Sequence, residues 1–195
     1  TSRRLPLSVT RATGRPEAQT VQTQWHASLR LPALVTEPGR STANTYDAAG
    51  QLLTRTITDT ATGEQRTWQW AYNAQRLASS LTDPRGGVWA WTYDAAGNRI
   101  TQRNPLGQET RWEYDAAGRP VRETAPNGLV TSYAWDARGR LVQVDRGGER
   151  SNLAWTPSGQ LASATQPNGY SITYQYDAAQ RLMGASDNRG ARIAY

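Results

Sequence analysis

Hydrophobic and polar positions alternate along much of the chain with a period of two residues. In the stretch Trp68-Gln69-Trp70-Ala71-Tyr72, aromatic residues stand at every second place, and small or polar residues fill the places between them. A period of two puts the aromatic side chains on one face of a β-strand, whereas a helix would distribute them around its circumference. The pattern therefore predicts β-strands that have one aromatic face.

The aromatic residue at the end of such a strand recurs at an almost fixed interval, and we call it the ring residue. Successive ring residues are separated by 21, 26, 21, 21, 21, 20 and 21 residues, and we interpret residues 58–67, in the long interval, as a loop insertion. A fixed period indicates a repeat architecture. The ring residues are Trp25, Tyr46, Tyr72, Tyr93, Tyr114, Trp135, Trp155 and Tyr176.

Turn-forming residues follow the ring residues. An Asp directly after the ring can accept a hydrogen bond from the amide two places further on, and a Gly at the fourth place allows the left-handed conformation of a bulged hairpin loop. A second turn of the form Pro-x-Gly begins at Pro84, Pro105, Pro126 and Pro167. Each repeat is therefore predicted to be one β-hairpin. The turn residues after the rings are Asp47, Gly50, Asp94, Gly97, Asp115, Gly118, Asp136, Gly139, Gly159 and Asp177.

A single two-stranded hairpin is barely stable in water, so we expect the hairpins to bury their aromatic faces against one another in an array. Each buried aromatic side chain removes roughly 150–250 Å² from water. At about 25 cal/mol per Å² this contributes on the order of 4–6 kcal/mol as an upper bound. We expect a structural role for the ring residues and their turn residues, and for Trp91 and Trp112, two places upstream of ring residues.

Composition argues against several other classes of protein. The 195 residues include no Cys and no Phe but 8 Trp and 9 Tyr, and all 22 basic residues are Arg, which gives a net charge of +6. The arginines are scattered among 16 carboxylates and are not gathered on one stretch, so we do not expect nucleic-acid binding. Neither a membrane-spanning apolar run nor a signal peptide is found in the sequence.

No motif indicates catalysis, a cofactor or a metal. The only histidine, His26, stands where other repeats have the turn Asp, and neither a Gly-x-Ser-x-Gly motif nor a phosphate-binding loop occurs. A zinc site is not expected from one His and no Cys, and turn formation explains the Asp residues without calcium. A pair of carboxylates for glycoside hydrolysis stays open, but Asp recurs once per repeat, which favours a structural role.

The motif Tyr-Asp-Ala-Ala-Gly-Arg at residues 114–119, repeated about every 21 residues with a Pro-x-Gly turn, resembles the YD repeat of Rhs proteins. Related repeats occur in shell-forming components of insecticidal toxin complexes and in teneurins. The resemblance implies an all-β fold in which tandem antiparallel hairpins form a curved strip of sheet, part of a spiral shell. It also implies a bacterial protein, secreted or delivered by a contact-dependent type VI system, whose shell encloses a C-terminal toxin.

We therefore expect residues 1–20 to form a non-repeat segment and residues 21–195 to form eight hairpin repeats. The self-cleaving motif that follows the repeats in the Rhs family is not found, so we interpret the chain as an excised piece of a larger protein or a truncated open reading frame. The expected function is that of a non-enzymatic shell module, whose partners are the rest of the Rhs protein and its enclosed toxin. Self-association through open sheet edges is also expected. The alternative is a cell-surface adhesion or carbohydrate-binding module that uses the aromatic face; an enzyme is a third possibility.

Overall fold

The computed structural model describes residues 7–11 and 19–195, and in this part of the chain it contains β-strands and turns but no helix. All described strand pairs are antiparallel, which confirms the predicted all-β fold of tandem hairpins. The strands are β1 (Ser8–Arg11), β2 (Gln19–Trp25), β3 (Pro32–Glu37), β4 (Arg40–Tyr46), β5 (Leu52–Asp59), β6 (Gln65–Tyr72), β7 (Ala78–Thr82), β8 (Val88–Tyr93), β9 (Arg99–Arg103), β10 (Glu109–Tyr114), β11 (Pro120–Thr124), β12 (Val130–Trp135), β13 (Leu141–Arg146), β14 (Glu149–Trp155), β15 (Leu161–Thr165), β16 (Ser171–Tyr176), β17 (Leu182–Asp187) and β18 (Arg192–Ala194).

The chain divides into two compact units, residues 1–92 with 102–107 and residues 93–101 with 108–195. In the first unit, each strand from β1 to β7 pairs with the next strand along the chain. In the second unit, the same is true from β10 to β18. Sequence order and spatial order are thus the same within each unit, so consecutive hairpins are direct neighbours.

A β-bulge lies beside every ring residue whose hairpin register is described. In the hairpin of β12 and β13, Trp135 pairs with Leu141 and Ala134 pairs with Gln143, so Val142 is one extra residue on the second strand. The same shift occurs beside the ring residue in the six other described hairpins. A bulge increases the local twist and redirects the side chain beside it. It therefore sets the orientation of each ring in the same way.

The aromatic face is less buried than the sequence analysis expects. Along β12, Thr131, Tyr133 and Trp135 are half-buried, while Ser132 and Ala134 on the other face are exposed, so the predicted alternation is confirmed. Among the described residues, however, no hydrophobic side chain is fully buried. Every described contact between strands joins consecutive strands, so the hairpins lie side by side and do not stack face to face. The expected burial of whole aromatic faces was wrong, and each ring contributes less than the upper bound given above.

The interpretation of residues 58–67 as a loop insertion was also wrong. Strands β5 and β6 are each eight residues long, and their pairing continues as far as Thr58 and Gln65, so that only residues 60–64 form the turn. The hydroxyls of Thr56 and Thr67 lie 2.9 Å apart across the two strands. β-Branched residues favour strands, and Thr pairs across a sheet stabilise the ladder. The extra residues therefore lengthen the hairpin.

Part of the predicted N-terminal segment forms a strand of its own. In β1, Ser8 pairs with Gln22 and Thr10 pairs with Thr20 on β2. Residues 1–6 and 12–18 of this segment lie outside the described residues, and the boundary at residue 20 stays a prediction. In the described part of the chain, no helix is long and apolar enough to cross a membrane.

Candidate functional site

The turn after the ring residue is built by the carboxylate of the turn Asp. One oxygen of Asp136, Oδ1, accepts hydrogen bonds from the backbone amides of Arg138 and Arg140, each at 2.9 Å. Gly139 lies between them with φ of 76°, a conformation that disfavours residues with a Cβ. The predicted Asp-initiated turn, closed by a left-handed Gly, is confirmed here. The repeats of Asp47 and Asp115 show the same pair of bonds.

The second oxygen of the turn Asp holds an arginine. Oδ2 of Asp136 accepts from Nε of Arg140 at 2.7 Å, and Nη2 of the same guanidinium lies 2.7 Å away. The backbone amide and the guanidinium of Arg140 together lower the pKa of Asp136. Asp115 and Asp177 hold Arg119 and Arg181 in the same way, and their pKa values are lowered as well. The Asp thus fixes a long cationic side chain at the edge of its hairpin.

Six of the eight ring residues are described donating a hydrogen bond to the backbone of the preceding hairpin. The hydroxyl of Tyr72 donates to the carbonyl of Leu52 at 2.9 Å, and Nε1 of Trp155 donates to the carbonyl of Leu141 at 2.8 Å. In both cases the acceptor belongs to the residue that pairs with the preceding ring residue. The same bond joins Tyr46 to Pro32, Tyr114 to Arg99, Trp135 to Pro120 and Tyr176 to Leu161.

This inter-repeat hydrogen bond explains the choice of aromatic residue. Tyr and Trp both carry a donor at the far edge of the ring, whereas Phe carries none. The sequence contains no Phe. Burial raises the pKa of Tyr72 and of Tyr46, so their hydroxyls stay protonated, and able to donate, to a higher pH than that of a free tyrosine. The expectation that neighbouring repeats supply partners for the polar ring edges is confirmed, and the partner is a backbone carbonyl.

Two arginines contact the following hairpin, whereas the ring residues bond to the preceding one. The guanidinium carbon of Arg119 lies 5.7 Å from the ring centroid of Trp135, and that of Arg140 lies 5.6 Å from the centroid of Trp155. Nη1 of Arg140 also donates to the carbonyl of Thr156, directly after the ring residue, at 3.0 Å. Each of these arginines therefore contacts both its own turn and the next hairpin.

The aromatic residues upstream of the rings make a different set of contacts. Nε1 of Trp112 donates to Oε2 of Glu123 at 3.2 Å, and the guanidinium of Arg99 lies 4.7 Å from the centroid of the Trp112 ring. Trp91 is half-buried on the same face of β8 as its ring residue. These residues add side-chain contacts on the aromatic face but are not part of the ring-to-carbonyl series.

Repeats that depart from the motif keep the turn geometry by other means. Nδ1 of His26 accepts from the amides of Ser28 and Leu29 at 3.3 and 3.2 Å, so the imidazole replaces the turn Asp as acceptor. Arg76 and Gln180 occupy the fourth place with φ of 62° and 66°, where five other repeats have Gly. The sequence analysis did not predict these two strained residues, although counting four places from each ring residue would have found them.

The described carboxylates make the same contacts in successive repeats and do not form one distinct reactive centre. No group of three or more His, Cys, Asp or Glu side chains that could hold a metal ion was found among them. The carboxylates of Asp115 and Asp136 make equivalent contacts one repeat apart. A catalytic pair would need two different environments within one site.

Comparisons with known proteins identify the class to which these repeats belong. The chain belongs to the teneurin YD-shell family, whose model matches residues 40–195. This confirms the relationship inferred from the repeated motif. No curated protein is significantly similar in sequence.

Solved structures with the same fold are components of toxin complexes. A crystal structure of TcdB2-TccC3-Cdc42 matches 92% of the chain with a TM-score of 0.73 and 17% identity, and one of TcdB2-TccC3 matches 92% with a TM-score of 0.72 and 16% identity. A structure of the Tc holotoxin pore from Photorhabdus luminescens matches 96% with a TM-score of 0.53 and 15% identity. The chain spans only 11% to 14% of the length of these structures. At such identities the likeness is one of fold.

Proposed function

We propose that this chain is a non-enzymatic structural module that forms a stretch of the wall of a YD shell, and that the complete shell encloses a toxin or another effector domain. The observation that carries the proposal is the inter-repeat hydrogen bond, which recurs from Tyr46 to Tyr176 with the same kind of acceptor. A contact that repeats in hairpin after hairpin serves an extended surface. The function therefore belongs to the array and not to one pocket.

The matched structures support the enclosed partner only by analogy. Their titles describe complexes of TcdB2-TccC3 and a Tc holotoxin, and we extend that context to this chain as a secreted bacterial toxin component. The partners we propose are further repeats of an Rhs-type protein and the toxin domain inside it. Eight hairpin repeats in residues 21–195 and delivery by a contact-dependent system remain parts of this proposal.

The contacts of the aromatic residues disfavour the alternative adhesion function. A sugar-stacking platform needs a free ring face and a free polar edge, yet Trp135 and Trp155 donate their indole N–H groups to the protein and carry a guanidinium on the ring face. Glycan-array binding that is saturable and is lost in Trp135→Ala would support adhesion and contradict a purely structural role.

Limited proteolysis of the complete gene product that contains these repeats tests the enclosure. We expect a segment outside the repeats to be cleaved at least tenfold more slowly in the complete product than the same segment expressed alone. The repeats themselves, mixed with the free segment without covalent connection, are the control for direct inhibition of the protease. Equal cleavage of the segment in all three samples would contradict enclosure.

A further inference from the structure

The residue whose backbone carbonyl accepts a hydrogen bond from the amide directly after a ring residue closes the turn, and we call it the bridging residue. It stands six places after Trp25 and five places after each later ring residue. Its identity varies along the chain, whereas most repeats have Asp directly after the ring residue and Gly at the fourth place. The bridging residues that precede another ring residue are Leu31, Gln51, Leu77, Asn98, Arg119, Arg140 and Gln160. The Arg and Gln bridging residues contact different parts of the following hairpin, and its residues differ accordingly.

Arginine bridging residues are followed by tryptophan ring residues. Arg119 precedes Trp135 and Arg140 precedes Trp155, and each guanidinium lies over the indole of the next repeat. Trp binds a cation on its ring face better than Tyr does, because its larger π-system has a more negative face. At the other bridging positions, where Gln, Leu or Asn is present, the next ring residue is Tyr.

Glutamine bridging residues contact a different place in the next hairpin. Nε2 of Gln51 donates to the carbonyl of Arg76 at 2.8 Å, and Nε2 of Gln160 donates to Oε1 of Gln180 at 2.9 Å. Arg76 and Gln180 are the two described residues other than Gly that have a positive φ, and both occupy the fourth place of the turn. Both hairpins with a strained fourth residue thus follow a Gln.

Arg119 requires Gly at the fourth place of the next hairpin, whereas Arg140 has no such steric requirement. A Cβ at Gly139 would lie 3.2 Å from Nη1 of Arg119, so the guanidinium and a side chain at the fourth place compete for the same space. Asn98, the shortest polar bridging residue, donates to Oδ2 of Asp94 at 2.9 Å and reaches only as far as Gly118, where a Cβ would lie 3.4 Å from its Oδ1. Reach and chemistry of the bridging side chain therefore determine what it can contact in the next repeat.

We propose that the bridging residue determines which hairpin can pack next. Arg selects a hairpin whose ring residue is Trp, and Gln selects a hairpin whose ring residue is Tyr and whose fourth-place residue is not Gly. Hairpins that share the sequence Tyr-Asp-Ala-Ala, at residues 46–49, 93–96, 114–117 and 176–179, could otherwise exchange places during folding. If the wrong hairpin packs next, the Arg guanidinium lacks an indole ring to contact, or the Gln side-chain amide lacks a hydrogen-bond acceptor. Selection is the difference in free energy between the correct and the incorrect pairing. This recognition operates whatever the wall encloses.

A double-mutant cycle at Arg140 and Trp155 tests the selection of Trp by Arg. Arg140→Gln, Trp155→Tyr and the double variant are compared with wild type by thermal unfolding and by amide hydrogen exchange in β14. Because Tyr keeps the donor to the carbonyl of Leu141, the ring-to-carbonyl bond survives in every variant. We expect the double variant to melt about 2–4 °C higher than the sum of the two single effects predicts. The same cycle with Trp112→Tyr in place of Trp155→Tyr is the control and should be additive.

A second set of variants introduces the Arg and Trp pair at a position where the wild type has Gln160 and Tyr176. Gln160→Arg alone should lower the melting temperature, because the guanidinium then faces Tyr176 and the side chain of Gln180. Adding Tyr176→Trp and Gln180→Gly should restore it to the wild-type value or above. Additive effects in both cycles, in melting temperature and in hydrogen exchange, would overturn the proposal and leave the bridging residues as ordinary surface contacts.

Discussion

Replacing Tyr72 by Phe removes one inter-repeat hydrogen bond and leaves the ring in place. The hydroxyl of Tyr72 donates to the carbonyl of Leu52 at 2.9 Å across 20 residues of sequence. Tyr72→Phe keeps the size of the ring and its contacts with the preceding hairpin. The variant therefore measures the hydrogen bond and not the packing of the aromatic face.

The expected cost follows from the chemistry of a neutral hydrogen bond. A bond of this type contributes about 0.5–1.5 kcal/mol to the free energy of unfolding, and the low end applies where water can reach the abandoned acceptor. Because Tyr72 is half-buried, we expect about 1 kcal/mol. For a chain of this size, that corresponds to a fall in melting temperature of roughly 2–4 °C.

Urea unfolding followed by circular dichroism gives the measurement. We expect a lower midpoint with an unchanged slope, because the surface exposed on unfolding stays the same. Tyr174→Phe is the matched control. Tyr174 is half-buried on the same face, two places upstream of a ring residue, and its hydroxyl has no hydrogen bond to protein in the described part of the chain. This variant should unfold like wild type.

The same variant also has a signature at high pH. Burial raises the pKa of Tyr72 in the folded state above its unfolded value near 10. A raised pKa stabilises the folded state below the unfolded value, and that contribution is lost as the pH rises through the folded value. Wild type should therefore lose more stability above about pH 10 than Tyr72→Phe does. If Tyr72→Phe and Tyr174→Phe have the same midpoint at neutral pH, the ring-to-carbonyl bond does not stabilise the array.

Three further predictions concern the turns. The pKa of Asp136 is lowered in the folded state, so its carboxylate stabilises the fold at pH values above its unfolded pKa near 4, and this stabilisation is lost as the pH falls through the folded pKa. Asp136→Asn should therefore flatten the acid limb of a plot of stability against pH, and an unchanged limb would contradict this. Arg76→Gly should raise the free energy of unfolding by about 1 kcal/mol by relieving the left-handed strain, whereas Ala74→Gly in the same turn should lower it by about 0.5–1 kcal/mol; a loss in both would refute the strain. Both Gly139→Ala and Gly159→Ala should cost about 1–2 kcal/mol in urea melts, and Gly139→Ala should cost more because only there would the new Cβ meet a guanidinium; equal costs would refute the steric part.

Local features of the fold were predictable because their bonds close within a few residues. The carboxylate of Asp136 bonds amides two and four places further on, and the positive φ of Gly139 belongs to the same turn, so residue type and spacing were sufficient. The aromatic alternation similarly depends only on the two-residue period of a strand. Counting four places from Tyr72 locates Arg76, but a preference for Gly does not predict its positive φ, because the surrounding turn and the bond from Gln51 enforce the strained conformation.

The sequence by itself determined the hairpins, their turns, their common aromatic face and the family to which they belong, because each of these depends on residues that lie close together in the chain. The tertiary structure alone decided how far the rings are buried, where their polar edges bond, and whether residues 58–67 form a loop or longer strands. The acceptor of Trp155 lies 14 residues away in another hairpin, and that of Tyr72 lies 20 away. No spacing rule gives such partners, because they depend on how one hairpin pairs with the next.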